Sequence, residues 1–175
     1  VNYRINVFLK ENVNEFKDEN KIFTLVHLVP LSSFYSREII DVQAQNNDSR
    51  KKGYDNLLPF GVKPGENVAG LLNLEGLRIF RPEYSKTVQN QFFRNGGIEA
   101  RYSFGPIIAS NDRYIDEKKF ESDLCEGLKR CMDFFKQQNI YGDIIVFINL
   151  FNIKNCYLTR NAKERDPPPH AINQD

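Results

Sequence analysis

Two histidines, three cysteines and a spread of carboxylates are the side chains of this 175-residue chain that could do chemistry. His27 lies inside the apolar run Ile22–Leu31, IFTLVHLVPL. A general base or metal ligand there needs a partner acid, cysteine or second histidine, and the linear sequence names none. An imidazole in such a setting is more often a hydrogen-bonded structural residue. The cysteines Cys125, Cys131 and Cys156 are odd in number, which fits a reducing compartment better than a disulfide framework. Cys125 and Cys131 fall on different faces of one expected helix and cannot bridge; Cys131 reads as core packing. Zinc would need paired spacings that are missing. Glu15-Phe16-Lys17 matches the tail of a nuclease-type acid-x-Lys motif. Three residues recur often by chance, and no upstream aspartate sits on a convincing strand. Arg50-Lys51-Lys52, followed by Tyr54, could meet phosphates. A solvated turn is the commoner role of such a triplet.

Other signatures are missing outright. The chain has no Gly-rich phosphate loop, no GxSxG, no HExxH and no paired CxxC. No carboxylate falls on an apolar strand where a tuned acid–base pair would be recognisable. These patterns assign no catalytic residue, no metal and no cofactor. A net charge of +1 argues against a strongly electrostatic binder of nucleic acid, though not against a local patch. No run approaches the roughly 18 apolar residues of a membrane span, and there is no signal-peptide pattern. No membrane partner is expected.

The element expected to organise the rest is Ile144–Phe151, IIVFINLF, apolar apart from Asn149. A strand with nothing polar on either face reads as central and covered on both sides. Asn149 is then a buried amide that must satisfy backbone groups at a sheet irregularity. The cover is a helix from Asp116 to Gln138. Phe120, Leu124, Leu128, Cys131 and Phe135 form its stripe, widened by Met132 and Phe134. Ser122, Glu126, Lys129, Asp133 and Gln137 lie opposite. Asp116 can cap it, Glu117 suits its positive end, Glu121 reaches water, and Asn139 with Gly142 can end it. This architecture depends on the apolar ribbon lying beneath that helix and away from any wetted margin.

Elsewhere, Val1–Asn12 predicts a helix with Val1, Ile5, Phe8 and Leu9 on its main stripe. Tyr3 and Val7 sit on roughly the opposite face, either as scattered exposed residues or as a contact with another domain or subunit. Ile22–Leu31 predicts a second apolar strand. Tyr35–Gly70 is irregular; either short elements hide in it or it covers a surface, with Leu57, Leu58 and Phe60 pinning it to the core. Leu71–Arg81 reads as one strand, with Gly76 a bulge or close approach. Thr87–Phe104 is a hairpin whose second arm turns Ile98, Ala100, Tyr102 and Phe104 inward and Glu99, Arg101 and Ser103 outward. A three-residue loop with Gly97 left-handed, setting Phe92 against Ala100, matches apolar with apolar. Cys156–Thr159 ends the pattern after a turn at Asn152–Asn155. The fold class is α+β: a mostly antiparallel sheet of five or six strands with an N-terminal helix and one long helix packed on it. Residues 1–160 make one globular domain, and 161–175, with Pro167-Pro168-Pro169, an extended or disordered tail.

Several stretches together resemble a bacterial family. Leu25-Val26-His27-Leu28-Val29-Pro30-Leu31-Ser32-Ser33-Phe34 is similar to its "hydrophobic-His-hydrophobic-Pro-x-Ser-x-Phe" stretch. Phe93-Arg94-Asn95-Gly96-Gly97-Ile98-Glu99-Ala100 is similar to a recurring FRNGxIEA run. Leu57–Gly61, Asn73–Gly76 and Ile148–Ile153 fall in the matching order. Together they resemble the C-terminal region of bacterial multidomain proteins with an N-terminal Schlafen/AlbA-type domain, labelled DNA-binding or ATP-binding. The chain departs from that pattern between Gly61 and Leu72. The resemblance implies a cytoplasmic bacterial protein in a DNA-linked or defence context, of which this chain is a fragment; it carries over no catalytic residue.

The first expectation for function is a non-catalytic accessory or interaction domain. It self-associates or docks to an upstream domain of the same chain, with Tyr3 and Val7 as the interface. The alternative is a nucleic-acid-binding module using Arg50, Lys51 and Lys52; a nuclease comes third.

Overall fold

The computed structural model describes residues 2–11, 18, 21–35, 40–52, 54, 57, 58, 60–63, 65–84, 88–109 and 112–160. Expectations about Val1, Glu15–Lys17 and the tail from residue 161 lie outside them. The helices are α1 (Asn2–Glu11), α2 (Val42–Lys52) and α3 (Glu117–Gln137). The strands are β1 (Ile22–Pro30), β2 (Ala69–Leu72), β3 (Gly76–Phe80), β4 (Gln89–Phe93), β5 (Ile98–Phe104), β6 (Ile107–Ala109), β7 (Asp112–Asp116), β8 (Ile144–Phe151) and β9 (Cys156–Thr159). The fold is α+β. A six-stranded sheet runs β2-β3-β4-β5-β1-β8 with every pair antiparallel. A small second sheet runs β6-β7-β9, its β7–β9 pair parallel.

The ribbon expected mid-sheet is at the margin. β8 is the terminal strand, paired among the described residues only with β1, and half of its residues are exposed. The central apolar strand is β1, paired with β5 on one side and β8 on the other, and buried along nearly its whole length. An unbroken apolar run reports that both faces avoid water, not what covers them. A buried central strand and a margin that meets another surface share that signature.

α3 behaves as its stripe predicts. Cys131, Phe134 and Phe135 are buried against Val26 and Leu28 of β1, Phe92 of β4 and Ile98, Ala100 and Tyr102 of β5. The Asp116 carboxylate accepts from the Lys119 N–H at 3.0 Å, capping the first turn. At the other end Ile140 N–H donates to the Phe135 carbonyl and Asn139 N–H to that of Lys136. Asn139 is left-handed at φ 55°, and Ile140 and Phe135 share the core. That is a Schellman stop with its apolar clasp. Glu121 and the five polar residues opposite the stripe are exposed.

The irregular segment hides a helix. Asp41 caps α2, accepting from the backbone of Gln43 and Ala44. Its buried positions are Val42, Asn46 and Ser49, spaced one turn apart, so the inward stripe is largely polar and leaves no hydrophobic period to read. Leu57, Leu58 and Phe60 do pin the following loop to the core. Gly127 of α3 lies against the Phe60 ring, where a Cβ would overlap it.

The hairpins also differ from expectation. Leu71–Arg81 is two strands, β2 and β3, separated by a turn in which Asn73 Oδ1 accepts from the N–H groups of Glu75 and Gly76. Gly76 is the close approach, since a Cβ there would overlap the Phe92 carbonyl. In the β4–β5 hairpin the left-handed glycine is Gly96 at φ 90°, not Gly97. The register sets Phe92 against Ile98 and Asn90 against Ala100, two residues from the alignment that matched apolar with apolar. The core accepts Asn90 because its amide donates to the Leu57 and Leu58 carbonyls, at 3.3 and 2.9 Å, and so ties the loop down. Strands β6 and β7, between the hairpin and the long helix, are additional to the expected elements; β7 packs with β9 through Ile115 and Cys156.

Candidate functional site: the open edge of the sheet

The face of the sheet away from α3 carries α1, whose Phe8 packs on Phe23 and Leu25 of β1, with Phe151 of β8 alongside. Under this helix lies a group that the alternation of β5 turns toward solvent in the sequence reading. Glu99 and Arg101 are buried. The Glu99 carboxylate accepts from Arg4 Nε at 2.8 Å and from Arg101 Nε and Nη2 at 2.9 and 2.7 Å, and it meets His27 Nε2 at 3.2 Å. Arg4 also reaches Glu75 at 2.9 Å, and the Arg101 guanidinium lies over the Phe8 ring. The acid partner that His27 needs is its cross-strand neighbour on β5. The linear sequence hides it 72 residues away.

Burial raises the Glu99 carboxyl. The His27 and Arg4 hydrogen bonds and the Arg101 and Arg4 charges outweigh it and hold the group well below the usual carboxylate range. Such a carboxylate is a poor proton acceptor near neutral pH, where a general base must be poised. The cluster fastens α1 to the sheet, with Arg4 of the helix held by Glu99 of β5. The open cleft that includes Lys21, Phe60, Arg81 and Phe104 does not contain it, and there Lys21 is paired with Asp18 and Arg81 with Glu66. Burial pushes the Cys131 thiol up to about 12, so it is inert packing; Cys125 is exposed. Among the described residues no group of three or more His, Cys, Asp or Glu could hold a metal, and no helix is long and apolar enough to cross a membrane.

The residues named from the sequence do not converge. Tyr3 is 74% exposed on α1 and Val7 is half-buried there. Arg50, Lys51 and Lys52 occupy the last turn of α2, on the other face of the sheet; their side chains lie outside the described residues. Glu15 and Lys17 also lie outside them.

Among the described residues, what stands open is β8. Ile145, Val146, Phe147 and Ile148 are between 37% and 45% exposed. In an antiparallel pair successive residues turn their backbone groups alternately toward and away from the neighbour. Leu31 N–H donates to the Asp143 carbonyl, and Pro30, opposite Ile144, has no N–H to give. This parity aims the backbone groups of Ile145, Phe147, Asn149 and Phe151 at β1. Those of Ile144, Val146, Ile148 and Leu150 face outward along the free edge. Asn149, expected deep in the core, is half-buried at this margin.

The opposite margin is built differently. β2 has four residues against eight in β8 and contains Gly70, on which the Tyr54 ring sits so closely that a Cβ would overlap it. A short strand with a glycine beneath a ring discourages pairing. β8 has no proline, glycine or charge along its length. Compared with known proteins, the chain matches no family model, no curated protein and no solved structure.

Proposed function

We propose that this chain is a non-catalytic interaction module that docks an extended protein segment along β8 by strand addition. In that mode backbone hydrogen bonds supply affinity and alternate side chains supply specificity. The observation that carries it is the combination at one margin of four consecutive exposed apolar side chains and an unblocked row of outward backbone groups. An edge of this length, hydrophobic and uncharged, invites pairing unless something covers it. The interface thus moves from Tyr3 and Val7, on α1, to the sheet edge. The likeness to the C-terminal region of Schlafen/AlbA-type proteins supports an accessory role in a cytoplasmic, DNA-linked bacterial protein, with assembly rather than chemistry as the task.

A lysine-flanked peptide bearing the β8 sequence is the direct probe. Titrated into the labelled chain, it should shift the amide signals of Ile144, Val146, Ile148 and Leu150. The shifts should vanish in Val146→Pro, which removes an outward donor. A peptide that leaves those amides unmoved overturns strand addition. Salt-sensitive binding of nucleic acid, lost on neutralising Arg50, Lys51 and Lys52, would instead favour the alternative function.

A further inference from the structure

We infer that the segment docked on β8 is β8 of a second copy, paired antiparallel about a two-fold axis at Phe147; this rests on the strand-addition reading. The outward residues Ile144, Val146, Ile148 and Leu150 are spaced symmetrically about Phe147. Turning one copy around that point sets Val146 opposite Ile148 and Ile144 opposite Leu150, and each pair exchanges two hydrogen bonds, about eight in all. Shifting the axis to Val146 or Ile148 leaves one outward residue of each copy beyond the end of the partner strand. The centred register is therefore the one that satisfies the whole edge.

The side chains agree with it. On the α3 face the exposed Val146 and Ile148 meet their counterparts. On the α1 face Phe147 meets Phe147, with Ile145 opposite Asn149. No charge lies within β8, so identical copies do not repel across the axis. The four exposed side chains sum to roughly 300 Å² per copy. Two copies bring about 600 Å² of it to the seam, short of the roughly 1,000 Å² of a stable interface, so the pairing is of the weak, concentration-dependent kind. The rest of the chain offers no comparable occupant. Residues 161–175 (NAKERDPPPHAINQD) hold three consecutive prolines and no apolar alternation, and residues 12–17 (NVNEFK) are largely polar. A two-fold pairing also closes on itself, whereas a head-to-tail one would need a second open edge, and β2 is short and hindered.

Sedimentation of the full 175-residue chain over a range of concentrations tests the occupant, and cysteine cross-linking tests the register. Phe147 faces itself in a pair without direct hydrogen bonds, with Cα atoms about 4.5 Å apart, within disulfide reach. In a Cys125→Ser background, Phe147→Cys should form a covalent dimer on mild oxidation, and Ile145→Cys should not. The mass should rise from one chain to two with concentration, and stay at one for Val146→Pro or, should that variant not fold, for Ile148→Lys. A mass of one chain throughout, while the β8 peptide still binds, would leave strand addition standing and overturn the second copy as its occupant. Failure of both would remove both. A dimer that survives Ile148→Lys, or cross-linking at position 145 in place of 147, would overturn the proposed pairing.

Discussion

The middle of the sheet and its margin are built against intuition. One cross-strand row on the α1 face runs Gln91, Glu99, His27, Phe147 over β4, β5, β1 and β8. Its middle is ionic and dry: Glu99, His27 and the adjacent Arg101 are buried beneath α1. Its end is aromatic and wet, with Phe147 on the exposed edge. A buried charge persists only when paired and hydrogen-bonded, and here two guanidinium groups and an imidazole surround one carboxylate. An exposed apolar strand persists in a cell only when something comes to cover it. The two regions are thus opposite cases: the first is complete within the chain, and the second, on the proposed strand addition, is completed by a partner.

The sharpest way to break this contrast is at its centre. Glu99→Ala should cost about 3–5 kcal/mol in urea unfolding, because Arg4, His27 and Arg101 lose the buried carboxylate they share. A loss near zero would mean that the cluster is solvated. Next come two prolines one residue apart. Ile145→Pro removes an inward donor to β1 and should cost about 3 kcal/mol. Val146→Pro removes an outward one and should cost about 1 kcal/mol or less in thermal unfolding. Equal losses would show that the edge parity is misassigned.

The acid dependence of stability gives a smaller effect of definite sign. The folded state holds the Glu99 carboxyl below its ordinary value of 4.5, so the unfolded chain takes up the proton first. The stabilisation is fully present above that value and is lost as pH falls beneath it. Melting curves between pH 3 and 6 should slope more steeply for the wild type than for Glu99→Gln. The smallest effect is expected of Tyr3→Ser with Val7→Ser. Light scattering should show an unchanged mass, with stability altered by about 0.5 kcal/mol for the exposed tyrosine. A reduced mass would return the interface to α1.

Local signals were legible where a side chain answers to its own neighbours in sequence. The α3 stripe, its Asp116 cap, its stop at Asn139, the turn at Asn152–Asn155 and the strand at Cys156 all follow from spacing and turn chemistry. α2 escaped because Asn46 and Ser49 occupy its inward face. The β4–β5 register escaped because Asn90 lies in the core, held by two carbonyls of a distant loop. Glu99 escaped because alternation assigns a residue to a face and says nothing of whether a helix lies over it.

Amino-acid order alone determined the α+β class, the extent of β1, α3 and β8, and the apolar make-up of both faces of β8. The tertiary structure alone decided that β1 is central and β8 terminal, and that an acid, two arginines and a histidine far apart in the chain share one dry site. The physical reason is that periodicity records the preference of each face, while strand order and the placement of α1 are set by contacts between distant segments, which no local pattern encodes.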